Sequence, residues 1–443
     1  MQTKLKNFFL RFTFLYLKHL LVVIITYIFM FYIYSDLSNY YYCSEIINYD
    51  LKLFGFNISL IFQESCDFSI YLKGFEDFSS IFESNYIYQG RPLYIGLINV
   101  ITSIFVTIFP KLTILNFYFG MILSQTLILS LCSLIVLNLF EEKISPNTEN
   151  YTILLISLSP IVKFGLFDPS HQLLTVLSFI LSFYYLKNKE NITYNNSYKH
   201  VLVCGLLFLS NKVFLVAFFI LLIATNIKKL RKEKNINPYH FLISCFLFLI
   251  PYAAYSLFIN FSGYISYEAE TELYGHFIWV LYFSNGHIIH TGQWFCHSIP
   301  ENFWCYFQDY INAIRYLLSP IVYFALLIYF LKKTIDNYKT YSALLITFLI
   351  YFIFWSFMGW YPPLRLSLYS LGIALSLALI LIIQYIPKKN LNLHVLGIVF
   401  YYLGLNHWNY PEVILQNLLT TVGTIFFVIN LISIYMTKSN SFK

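Results

Sequence analysis

Charge is what this chain has least of. Only 11% of its 443 residues are Asp, Glu, Lys or Arg, and 58% are hydrophobic, whereas soluble globular proteins carry about 25% charged residues. No stretch has the composition of a soluble domain, and neither an internal repeat nor a low-complexity tail breaks the pattern. A phosphate-binding Walker loop, a dinucleotide fingerprint and an HExxH pair are also missing, which excludes a transporter subunit carrying its own ATP motor. The net charge of +7 comes mainly from lysines in short loops, as at Lys228, Lys229, Arg231, Lys232 and Lys234. That is the positive-inside signature of a membrane protein, so nucleic acid is not an expected partner. Seven cysteines make no framework. Cys132, Cys204 and Cys245 lie in apolar runs as small core residues; Cys43, Cys66, Cys296 and Cys305 fall in two long loops, where pairing within each loop and free thiols both remain open.

What the chain does have is hydrocarbon. Apolar runs fall at 17–34, 93–109, 112–140, 151–167, 171–186, 201–225, 239–260, 313–331, 341–359, 366–386, 392–406 and 413–436. About 20 apolar residues cross a bilayer as a helix, and the runs lack the alternation of barrel strands. The expected fold class is all-α, a polytopic transmembrane helical bundle of about 11 to 13 membrane segments with an interfacial helix in the first outer loop. Lys4, Lys6, Arg11 and Lys18 precede a first run too long for a signal peptide, which predicts a retained span with the N-terminus inside. Two topologies compete. In one, all twelve runs cross. In the other, 91–109 does not fully cross and 201–225 is a short hairpin broken at Ser210, Asn211 and Lys212, which puts Lys187, Lys189 and Lys199 inside and Asp168 to His171 outside. The lysines fit the second better. Both put loops 35–90 and 261–312 on the outer face, with Tyr361 to Arg365 and Asn406 to Glu412. The chain then reads as an N-terminal module, 1–230, and a C-terminal module, 231–443, each with one of these loops. The 40 tyrosines and 46 phenylalanines would suit aromatic belts or a carbohydrate surface, although AT-rich coding bias gives the same composition.

Polar chemistry concentrates in residues 66–95, CDFSIYLKGFEDFSSIFESNYIYQGRPLYI. Asp67 and Tyr71 are spaced i, i+4, which stacks them on one face of a helix. Ile70, Phe75, Phe78, Ile81 and Phe82 alternate with Lys73, Glu76, Asp77 and Glu83 as in a helix lying in the interface plane. Gly90, Arg91, Pro92, Leu93 and Tyr94 then open the next apolar run.

Asp-x-x-x-Tyr after the first span, an interfacial stretch and then Arg-Pro-Leu-Tyr resembles the GT-C superfamily of membrane glycosyltransferases, which includes protein O-mannosyltransferases and aminoarabinose transferases. Ser159-Pro160 with Phe167-Asp168-Pro169-Ser170-His171 resembles the polar turn that faces the outer cavity in such enzymes. Ser210-Asn211-Lys212 resembles their polar break in a short hairpin. The resemblance covers mainly residues 15–230. It implies that Asp67 is the catalytic carboxylate, that Tyr71, Arg91, Tyr94, Asp168, His171, Lys212 and Arg365 bind substrate, and that the donor is a sugar carried on a polyprenyl phosphate. The acceptor would be a lipid, a glycan or a protein, the setting membrane lipids, and the location a bacterial plasma membrane with the N-terminus cytoplasmic. No cofactor is certain, a divalent cation stays open, and no metal ligands are assigned. Phe68 follows Asp67, a departure from the paired carboxylates of metal-dependent members.

The residue types suit that chemistry. An attacking hydroxyl loses its proton to a carboxylate within hydrogen-bond reach, and attack opposite the leaving phosphate inverts the anomeric centre. A cation such as Arg91 or Arg365 stabilises the departing phosphate. Each residue also has a plainer reading: Asp67 and Asp77 as solvated interface charges, Arg91 and Arg365 as snorkelling anchors, Asp168 as the cap of a helix opening at Pro169. In the second outer loop, His287 and His290 stand at the spacing of a metal pair, but Gly286 and Gly292 make the segment rich in turns. Trp294, Trp304 and Tyr274 there suit stacking on a sugar ring as well as an interfacial belt. Two rivals stand beside the enzyme. An envelope polysaccharide polymerase or flippase would be expected to carry arginines in its outer loops, in which this chain is poor. A transporter without catalytic activity would need ionisable groups inside its spans, for which Lys163 and Lys212 are the candidates.

Overall fold

The computed structural model describes the backbone of residues 2–33, 46–53, 56–63, 68–83, 89–108, 113–139, 146–159, 171–233, 238–264, 338–357 and 370–383, with short pieces at 110, 161–162, 321–332 and 396–432. It is a protein of apolar helices: α1 Gln2–Ile33, α2 Phe68–Glu76, α3 Pro92–Ile108, α4 Thr113–Leu137, α5 Pro146–Ser157, α6 Leu174–Lys187, α7 Tyr194–Phe208, α8 Phe214–Glu233, α9 Pro238–Phe261, α10 Tyr338–Phe357 and α11 Ile373–Ile383. Proline opens α3, α5 and α9, at the first helical position where its missing N–H costs nothing.

The all-α expectation is corrected in one place. β1 Ile46–Leu53 and β2 Phe56–Gln63 form an antiparallel hairpin in register from Ile46 opposite Gln63 to Leu53 opposite Phe56. Their sequences, IINYDLKL and FNISLIFQ, have enough β-branched and aromatic residues for strands and are too short and polar to span a bilayer.

Among the described residues three helices are long and apolar enough to cross a membrane: Phe9–Thr26, Asn116–Leu137 and Pro238–Phe261. Shorter apolar helices lie at Pro92–Ile108, Leu174–Lys187, Phe214–Asn226, Lys339–Trp355 and Ser370–Ile382. The expected count of about 11 to 13 crossings is therefore not reached among the described residues. Two of the expected spans change form. The first helix begins at Gln2, so the lysines expected to flank a span at 17–34 ride on the helix itself. The run 201–225 is divided between α7 and α8 at Leu209–Val213, where the second topology breaks it and the first does not. α3, at 17 residues, is about 25 Å long against about 30 Å of hydrocarbon.

The chain forms two compact units, residues 1–78, 95–173 and 379–443, and residues 79–94 and 174–378. They cut across the division expected at residue 230, which falls inside α8. Lipid tails are as apolar as leucine, so close packing and inter-helix hydrogen bonds hold such helices together. In the first unit α1 packs on α4 and α5. Leu15, Leu134, Leu137 and Ile153 form a shared core, and His19, fully buried, is hydrogen-bonded through Nδ1 to Ser157 Oγ at 2.7 Å and through Nε2 to Ser133 Oγ at 2.6 Å. In the second unit Gly205 of α7 lets the α9 backbone approach so closely that a methyl group there would run into the carbonyl of Phe248. Tyr351 of α10 bonds Ser178 and Ser182 of α6. Cys132 and Cys204 are buried as expected, while Cys245 is only half-buried; Cys43, Cys66, Cys296 and Cys305 lie outside the described residues.

Candidate functional site

The second unit has two unlike ends, and its helix directions can be read from side-chain contacts. Tyr194 and Tyr198 of α7 lie against His240, and Phe208 lies against Phe248 and Tyr252, so α7 runs parallel to α9. Thr225 meets His240 while Phe218 stacks on Phe248, so α8 runs antiparallel to both. Lys339 bonds Glu190 at 2.8 Å, which brings the start of α10 to the α6–α7 turn. One end therefore gathers Lys187, Lys189, Lys199 and Lys339 with the last residues of α8. His200, between the rings of Tyr184 and Tyr185 at this end, has its pKa lowered by burial.

The opposite end is aromatic, and it holds three of the residues expected to bind substrate. Ser210, Asn211 and Lys212 do break the chain. The N–H of Ser210 and that of Asn211 both return to Leu207 O, while Asn211 Oδ1 accepts the N–H of Val213, so the asparagine side chain closes the turn between α7 and α8. Half-buried Lys212 projects its ammonium between two rings, 5.1 Å from the centroid of Phe208 and 5.1 Å from that of Tyr252. Such cation–π contacts draw the ammonium to the faces of the two rings.

One turn further along α9, Tyr255 donates a hydrogen bond from its hydroxyl to Gln89 O at 2.7 Å. This pins the segment Gln89-Gly90-Arg91-Pro92, in which Arg91 and Pro92 are buried and Tyr94 is 2% exposed. Tyr252 and Tyr255, at i and i+3, share a face of α9. Gln89, two residues before Arg91, and Lys212 thus touch adjacent turns of a single helix. Beyond them α9 ends in a Schellman cap. Tyr264 N–H returns to Ile259 O and Gly263 N–H to Asn260 O, with Gly263 at φ 75°, a conformation a side chain would resist. The cap turns Tyr264 onto Phe82, ring to ring at 4.8 Å, and Phe258 meets Phe82 edge-on.

The first unit holds Tyr71. A helix forms there as α2, followed by a 3-10 turn at Phe78–Phe82, with Phe75 and Ile81 buried and Lys73, Glu76, Asp77 and Glu83 exposed. Tyr71 is fully buried and stacks on Phe75 at 5.7 Å, a packing residue of that helix. Phe75 O in turn accepts from Asn99 Nδ2 of α3 at 2.7 Å.

Asp67, Asp168 and Arg365 lie outside the described residues, as do the histidines and tryptophans expected in loop 261–312; His171 is described in backbone alone, opening the turn His171–Leu173. Among the described residues no three His, Cys, Asp or Glu side chains converge to hold a metal ion.

Sequence reasoning missed two features. Tyr255 had no local signal, because its partner is 166 residues away. The other is an ionisable pair inside α1: Lys18 Nζ bonds Glu149 Oε1 at 2.6 Å and Asn150 Oδ1 at 3.0 Å, beside the His19 bonds already described. The signal was present, since Lys18-His19 interrupts an apolar run. No protein-family model matches the chain, and neither a curated protein nor a solved structure matches it significantly.

Proposed function

We propose that this protein is a multi-pass glycosyltransferase of GT-C type that moves a sugar from a polyprenyl-phosphate donor to an acceptor on the outer side of the membrane. The observation that carries the reading is the aromatic end of the second unit, where Lys212 and the segment Gln89 to Pro92, which includes Arg91, meet adjacent turns of α9. Two cations held by ordered neighbours suit a leaving phosphate, because donors fixed in advance need no reorganisation as charge develops. The lysines of the other end, taken as cytoplasmic, turn this end outward.

In the proposed reaction Asp67 accepts the proton of the acceptor hydroxyl. The hydroxyl oxygen bonds to the anomeric carbon while the carbon–oxygen bond to phosphate breaks, and the electron pair leaves on the phosphate. Arg91, Lys212 and Arg365 receive that charge. Tyr71, Tyr94, Asp168 and His171 are the further residues expected to bind substrate. A divalent cation is not required by this scheme.

The test compares wild type with Asp67→Asn and Arg91→Ala, at equal membrane abundance, for transfer of label from a polyprenyl-linked sugar pool to endogenous acceptors. Both variants are expected to lose transfer, Arg91→Ala by about 100-fold, the scale of removing one preorganised donor. Activity retained by Asp67→Asn would remove the base. A second reading, transport without catalysis, takes its support from Lys18, His19 and Glu149 within the first unit. No transfer by wild type, together with substrate uptake lost in His19→Ala, would favour it.

A further inference from the structure

We infer that the hairpin β1–β2 is a membrane-surface element whose apolar face rests on the phospholipid bilayer. Because residues directly opposite each other across two strands share a face, the register divides the hairpin into two sets of residues. The division is nearly complete. Residues 47, 49, 51 and 53 of β1 and 56, 58, 60 and 62 of β2 fall on one face, from Ile47 opposite Phe62 to Leu53 opposite Phe56, and every one is Ile, Leu, Phe or Tyr. The other face carries Asn48, Asp50, Lys52, Asn57, Ser59 and Gln63, with Ile46 and Ile61 toward its open end. Pairing one residue out of step would mix the two sets, so the sequence pattern itself demands this register.

Three properties select a bilayer surface as the partner. A two-stranded hairpin is marginal in water by itself, so a face of this kind needs an apolar support. Among the described residues each strand pairs only with the other, which leaves an outer edge of backbone N–H and C=O groups on both. Open edges are not tolerated within hydrocarbon, so the hairpin is not sunk among acyl chains; lying flat at the interface keeps both edges within reach of water. Its tethers hold it there. Residues 34–45 join β1 to α1, and residues 64–67 join β2 to α2 over at most about 17 Å. α1 is long and apolar enough to cross a membrane, as is α4, on which α2 packs. With eight residues in each strand the apolar face is about 27 Å long. Asp50 balances Lys52 on the opposite face, so a zwitterionic phospholipid suffices as the occupant. The inference does not depend on the glycosyltransferase reading.

The full chain is reconstituted in phosphatidylcholine nanodiscs with the photoreactive residue p-benzoylphenylalanine in place of one hairpin residue at a time, then irradiated, and the adducts are identified by mass. Tyr49 and Phe62 report the apolar face, where the replacement keeps an aromatic ring and so preserves the fold; Asn57 and Ser59 report the polar face. Several-fold more phosphatidylcholine adduct is expected from positions 49 and 62 than from positions 57 and 59. Lipid adduct in equal yield from both faces overturns the inference. So does the lack of lipid adduct from positions 49 and 62, whether the probe links instead to this chain, to a second copy or to nothing.

Discussion

The two ends of the second unit use cations in opposite ways. At one, Lys187, Lys189, Lys199 and Lys339 stand on a turn and near helix ends, and the pair of Lys339 with Glu190 has both side chains 56% exposed. At the other, Lys212 is set between Phe208 and Tyr252 and Arg91 is buried in a segment that Tyr255 pins. Exposed lysines can be exchanged for one another with little change in folding, because water screens them and their conformational entropy is kept. Cations lodged among rings and buried backbone are costly to place, and a protein with so few charges has placed them there. Quantity of charge marks orientation, whereas constraint on charge marks the candidate site.

The sharpest way to break this contrast is to separate the helices that carry both ends. Gly205→Ala places a methyl group against the Phe248 carbonyl, and backbone cannot step aside as a side chain could. We expect about 3 kcal/mol of destabilisation, read as a fall in the yield of monodisperse protein after detergent extraction, with both ends affected together. A smaller and more local effect is expected from Tyr255→Phe. It deletes one hydrogen bond, to Gln89 O, for about 1 kcal/mol. Thermal stability should fall slightly, while transfer activity should fall further than stability does, because the segment that carries Arg91 loses its bond to α9. Equal behaviour of Tyr255→Phe and wild type in both measurements would mean that the pin is incidental. The smallest change is Glu190→Gln at the lysine end. It removes an exposed ion pair, so stability in phosphatidylcholine should shift by less than about 0.5 kcal/mol, and transfer should be unaltered.

How much of this could be read from the chain follows from the range of each interaction. α9 was expected at 239–260 and occupies Pro238–Phe261, since a continuous apolar run flanked by lysines and proline specifies its own ends. The turn at Ser210 to Lys212 was legible for the same reason: three polar residues inside an apolar run have local partners, here Leu207 and Val213. The hairpin was overlooked although Asn48, Asp50 and Lys52 alternate with Tyr49, Leu51 and Leu53, a period of two read only as loop composition. Tyr71 was paired with Asp67 by helical spacing, but the same spacing pairs it with Phe75, and the described stacking is with the ring. What brings Gln89 and Lys212 to one helix is the face of α9, more than a hundred residues from the first of them, and no local pattern encodes such a meeting.

The bonds of α1 also impose an order of events while the protein is being made. Lys18 meets Glu149 across 131 residues and His19 meets Ser157 across 138. At about 10 residues per second of synthesis, the first helix waits on the order of ten seconds before its partners leave the ribosome. Until then an ammonium and an imidazole stand in a hydrocarbon setting without the groups that later satisfy them, which is expensive. The nascent first helix therefore has reason to stay at the rim of the insertion machinery, where water is within reach, and to enter the bilayer fully only when α4 and α5 arrive to receive it.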